Sequence, residues 1–110
     1  MAVTPATLIE SKYAENSQTT QYTSTNVKTL IDKFTVTNAT AAAATFAVNL
    51  VVSAGTAAAG NVNLSRTILA GKSDQCPELV GHALEPGGFI STLAGTASAL
   101  VIRASGRQVS

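Results

Sequence analysis

From Thr45 to Val52 the chain alternates with period two: Phe46, Val48, Leu50 and Val52 fall on one face, Thr45, Ala47 and Asn49 on the other. That period predicts a half-buried strand, because a helix would return its apolar residues every three or four positions. Leu30 to Asn38 places Leu30, Phe34 and Val36 in one phase and Thr35 and Thr37 in the other, and its β-branched content again suits a strand. Asn38-Ala39-Thr40 begins a turn. Ser53 to Gly60 is a loop of small residues bounded by glycines, after which Val62, Leu64 and Ile68 share a face interrupted by Arg66, as expected of a strand near a sheet edge.

Cys76-Pro77-Glu78-Leu79-Val80 has a proline where a helix tolerates one and an acid at the positive end, which predicts one short helical turn. Glu85-Pro86-Gly87-Gly88 is the strongest turn signal. The runs Phe89–Leu93 and Ala99–Arg103, separated by Gly95-Thr96-Ala97-Ser98, read as a hairpin with Leu100, Ile102 and Ala104 inward and Val101, Arg103 and Ser105 outward. Short strands between Gly, Pro and Asn turns indicate an all-β fold: a single antiparallel β-sandwich, jelly-roll-like, with at most one short helical turn near residues 77–84. Residues 21–110 would form the sandwich domain. Residues 1–20, with the isolated apolar pair Leu8-Ile9, read either as an edge strand or as an N-terminal arm added to a neighbour's sheet.

Only 12% of the 110 residues are charged, against roughly 25% in a typical soluble domain. Nineteen Ala, fifteen Thr and ten Ser make the surface small-grained and neutral. Seven basic and six acidic residues give a net charge of +1, which provides no electrostatic footprint for nucleic acid or for an anionic membrane. The N-terminus lacks the basic and apolar regions of a secretory signal, and no apolar run approaches the roughly 20 residues of a spanning helix. The single cysteine, Cys76, can form neither an internal disulfide nor a thiolate cluster for zinc.

Catalytic motifs are weak. Ala70-Gly71-Lys72-Ser73 matches the tail of a phosphate-binding loop, but Arg66 stands where the first glycine of that motif belongs. His82 could pair only with Cys76 or a serine, with no motif for an orienting group or an oxyanion hole. Asp74, Cys76, Glu78 and His82 lack zinc-ligand spacing, and the six acids Glu10, Glu15, Asp32, Asp74, Glu78 and Glu85 are scattered. Asn38-Ala39-Thr40 and Asn63-Leu64-Ser65 fit a glycosylation pattern that means nothing without a secretory route. The aromatics are Tyr13, Tyr22, Phe34, Phe46 and Phe89, with no Trp for a sugar-stacking platform. No catalytic residue, cofactor or metal is expected.

The charges are also unevenly placed. Phe34 to Ser65 is a run of 32 residues without one, and Pro86 to Ile102 a run of 17. A small monomer ordinarily spreads both signs over its surface, so neutral stretches this long suit packing against copies of itself or a larger scaffold.

The segments Gln18–Thr23, Ile31–Asn38, Cys76–Ile90 and Ile102–Val109 together resemble small all-β virion structural proteins of tailed bacteriophages. Gly88 stands where that family often has an acidic residue. The resemblance implies a non-enzymatic component of the particle, a capsid decoration or cement protein or a neck or tail accessory. It would be made in the host bacterial cytoplasm and assembled on the virion as a homo-oligomer, with a trimer favoured. Its partners would be copies of itself and another structural protein such as the major capsid, neck or tail protein. Leu8, Ile9 and Tyr13 would anchor the arm, Arg103 and Arg107 would make polar contacts, and loops such as Ser53–Gly60 would touch neighbouring subunits. The alternative is a receptor- or carbohydrate-binding module of a phage tail or fibre, for which Tyr13 and Tyr22 are the only platforms. A small enzyme using His82 ranks below both.

Overall fold

A computed structural model describes residues 2–110. Nine strands follow one another: β1 (Val3–Tyr13), β2 (Thr19–Thr23), β3 (Lys28–Asn38), β4 (Ala44–Val51), β5 (Val62–Ile68), β6 (Ser73–Asp74), β7 (Ala83–Leu84), β8 (Phe89–Ala94) and β9 (Leu100–Val109). Two single 3-10 turns, Ala59–Asn61 and Pro77–Leu79, interrupt them, the second at the expected place with Pro77 at its first position.

The strands form two antiparallel sheets, one in the order β1-β9-β3-β6 with β7 also pairing β3, the other β2-β8-β4-β5. Setting aside the two-residue β7, first pairs with last, β2 with β8, β3 with β6 and β4 with β5. That nesting is a two-stranded ribbon folded over on itself, the wiring of a jelly roll. The fold is therefore the expected all-β sandwich. The expected hairpin of residues 89–93 with 99–103 is not formed: β8 lies in the four-stranded sheet and β9 in the other, so the turn at 95–99 crosses between layers. The inward phase of Leu100, Ile102 and Ala104 is as expected, and all three are buried.

The core lies between the sheets. Phe34 from β3 and Phe46 from β4 meet there, ring centroids 6.2 Å apart and tilted by 41°. Four apolar residues depart from the expected phase. Asp32 is an extra residue against β9, so Ile31 rather than Leu30 turns into the core. Asn63 is a similar insertion in β5, beyond which Val62 is exposed. Val52 falls just past the end of β4 and is 75% exposed. Val51, outward in phase, is instead buried beneath the turn at Gly55, where an added Cβ would stand 3.0 Å from its Cγ1.

Residues 3–13 form an edge strand on their own sheet, paired to β9 from Val3↔Val109 to Tyr13↔Val101. An extra residue at Leu8 lets both Leu8 and Ile9 enter the core. Within the single chain this segment therefore takes the edge-strand place, with Leu8 and Ile9 packed in its own core.

Candidate functional site

The charged side chains occupy distinct places. The outer face of the β1-β9-β3 sheet carries Lys28, Lys33, Arg103 and Arg107, which alternate with the inward residues of their strands, and Glu10 and Asp32, which lie at register shifts in β1 and β3. Arg103 pairs with Glu10 at 3.1 Å, and Arg107 clasps Asp32 through Nε and Nη2. This planar two-point geometry holds the Arg107 proton more tightly than usual, chiefly through the Asp32 hydrogen bonds. The two arginines expected to face a partner thus already hold acids of their own chain. Tyr13, half exposed, stands beside Val101 on the same face.

Two further cations sit on edge strands in inward phase. Arg66 of β5 lies opposite Phe46 and reaches across the open side of the sandwich to Asp74 of β6, at 2.7 Å, and to Glu78 of the 3-10 turn. Its hydrogen bond holds the Asp74 carboxyl below the usual carboxylate range, against the opposing effect of partial burial. On the other open side Lys12 of β1, opposite Ile102, donates to Glu15 and to Gln21 of β2, both at 2.9 Å. Glu15 is likewise lowered, first by the Gln21 amide and then by Lys12. Each lateral opening is therefore closed by an inward-reaching cation, a known protection of edge strands against pairing with other chains.

With Lys28–Glu85, all six carboxylates are engaged in ion pairs within the chain. Among the described residues no group of three or more His, Cys, Asp or Glu side chains is placed to hold a metal ion, and no helix is long and apolar enough to cross a membrane. Cys76 is buried, its thiol pushed up to about 12 mainly by loss of solvent and next by the Asp74 charge, so it is a poor nucleophile. His82, by contrast, is exposed, and its backbone groups bond Leu79 and Ile31. The amides of Gly71 and Lys72 donate to Asn38 and Leu69 carbonyls and cannot cradle a phosphate. Asn38 is fully buried: its amide donates to the Ala42 and Ile68 carbonyls, which closes the Asn38-Ala39-Thr40 pattern to modification in the folded chain. Tyr22 is spent internally, its hydroxyl bonded to Thr29 and Gln108.

The outer face of the β2-β8-β4-β5 sheet is different in kind. Arg66 is the one charged residue in those four strands, and it faces inward. Outward stand Thr20, Thr45, Ala47, Asn49, Ser65, Thr67, Ser91 and Leu93, all uncharged. Half of this face is covered. Asn49 donates to the Ala58 carbonyl and to Asn61, and Gln18 donates to Ser91 at 2.8 Å, so the loop following β4 lies over Asn49 and Val51 as a raised ridge. The other half is open and forms a trough of about 280 Å³ lined by Thr45, Ala47, Ser65, Leu93, Gly95 and Asn16. Of these outward residues the alternation of β4 marks Thr45, Ala47 and Asn49, and the two uncharged runs contain most of the rest, but no local signal brings them together.

A second open cleft, of about 340 Å³, lies at one end of the sandwich between Leu50–Ser53 and Ala83–Gly88. Compared with protein-family models, with curated proteins and with solved structures, the chain finds no match in any of the three.

Proposed function

We propose that the protein is a non-enzymatic structural component of a tailed-bacteriophage virion, present in many copies that associate with one another through the uncharged outer face of the four-stranded sheet. The observation that supports this reading most is the partition of charge between the two sheets. A face with no ion to desolvate can be buried repeatedly against other protein at little electrostatic cost, and the ion-paired face opposite keeps the subunit wetted. Jelly rolls serve viral shells and lectins alike, so the fold alone does not choose between them. Tyr13 as the one half-exposed tyrosine weighs against a sugar platform, which stacks rings on several aromatics. Cys76, buried and with its thiol pushed up to about 12, offers His82 no ready thiolate, which weighs against the enzyme reading.

The direct test is incorporation. Particles assembled without the protein, mixed with the purified chain, should take it up in stoichiometric, symmetric array, seen as added density by electron cryomicroscopy. Selective retention on a glycan array with no uptake by particles would establish the receptor-binding alternative instead.

A further inference from the structure

Beyond the presence of many copies, the relief of the neutral face identifies a specific contact. Ridge and trough lie side by side on one surface: the Ser53–Gly60 loop stands over Asn49 and Val51, and the trough lies beside it over Thr45 and Ala47. A two-fold axis in the plane of such a surface carries the ridge of one copy onto the trough of the other, and the reverse, so the face is complementary to itself. We propose that two copies of this chain pair face to face in this way, each seating its Ser53–Gly60 loop in the other's trough.

Charge favours a second copy as the occupant, and size sets how tightly it is held. Neither loop nor trough bears a charge, so no ion loses water on contact. Stacking through the opposite face would instead take the ion pairs of Arg103 and Arg107, together with Lys28 and Lys33, out of water in each copy. Edge-to-edge pairing is obstructed by Lys12 and Arg66, by insertions in β1, β2 and β5, and by Pro5. Four strands spaced about 4.8 Å, each some six or seven residues at about 3.4 Å, give a face of roughly 400 to 450 Å². That falls short of the roughly 800 Å² per partner of a standard stable interface. The flanks of the interlocking loops add area, and exposed Val52, Val62 and Leu93 around the face add apolar contact. The pair is accordingly weak and reversible in solution, and two copies so joined attach to a particle at two points rather than one.

The inference rests on the multi-copy reading above but is tested on purified protein alone. Sedimentation equilibrium across micromolar to near-millimolar concentration should show a monomer–dimer equilibrium. Ala47→Glu in the trough and, separately, Ala59→Glu on the ridge should each weaken it tenfold or more while circular dichroism shows the fold retained. Thr35→Glu on the opposite face should leave it unchanged. A mixture of Thr45→Cys and Ala59→Cys proteins should cross-link on oxidation, and neither alone should, since Cys76 is buried. A wild type that stays monomeric, folded charge variants that still pair, or cross-links within either single variant would overturn the proposal. Uptake by particles of a chain that never pairs in solution would defeat this inference and leave the proposed function standing; pairing without uptake would do the opposite.

Discussion

Gly106 shows how much one residue can constrain this sandwich. It lies in β9 between Ala6 and Ile31, and a Cβ there would stand 2.1 Å from the Leu30 carbonyl oxygen and 3.0 Å from Leu8 Cδ1. The obstacle is backbone, drawn close where Asp32 is inserted into β3, and backbone cannot turn aside as a side-chain tip can. Gly106→Ala should therefore cost more than about 2 kcal/mol in denaturant unfolding, through displacement of β3 or loss of its pairing. An unchanged midpoint would show that the approach relaxes freely. Asn38 is constrained in the opposite sense, by what it must bond: its amide and carbonyl oxygen hold Ala42, Ile68 and Thr40 together where β3 ends. Neither role is visible in sequence, because the Leu30 carbonyl and Ile68 come from other strands.

At the scale of elements, the edges decide the behaviour of the chain. Arg66 links β5 of one sheet to Asp74 of β6 in the other, with only about a third of its side chain exposed. The folded carboxyl of Asp74 titrates below its unfolded value near 3.8, so the link adds stability above that pH and loses it as pH falls through the lowered folded value. Stability should drop by on the order of 1 kcal/mol between about pH 5 and pH 3, and Arg66→Gln should be less stable at pH 7 and lose less over that interval. Equal losses in the two proteins, measured by urea unfolding at each pH, would remove Arg66 from the account. Edge strand β1 is testable as a whole. Deleting residues 2–13 uncovers Ala104 and removes Leu8 and Ile9 from the core, so the shortened chain should lose its cooperative unfolding transition. A separable arm would leave that transition intact.

Over the whole molecule, two runs of sequence without charge become one face. The strands β4, β8 and most of β5 lie in those runs, and the folded ribbon sets them side by side with the equally uncharged β2. The charged segments β1, β3 and β9 fall together in the other sheet by the same wiring. The association and particle-uptake experiments belong to this scale, since the face exists only when all four strands are assembled.

Much of this was legible in the residues. Alternation at Phe46, Val48 and Leu50, the turn at Glu85–Gly88 and the proline at position 77 mark strands and turns, because a strand's side-chain period and a turn's backbone angles are set by the residues themselves. The scarcity of charge was equally plain. Tertiary structure alone decided that β8 and β9 part into different layers and that Leu30 turns out while Ile31 turns in. It likewise placed Leu8 and Ile9 in their own core, and both arginines beside acids of the same chain. Each of these depends on a partner strand distant in sequence, and a single inserted residue such as Asp32 reverses a face without leaving any local sign.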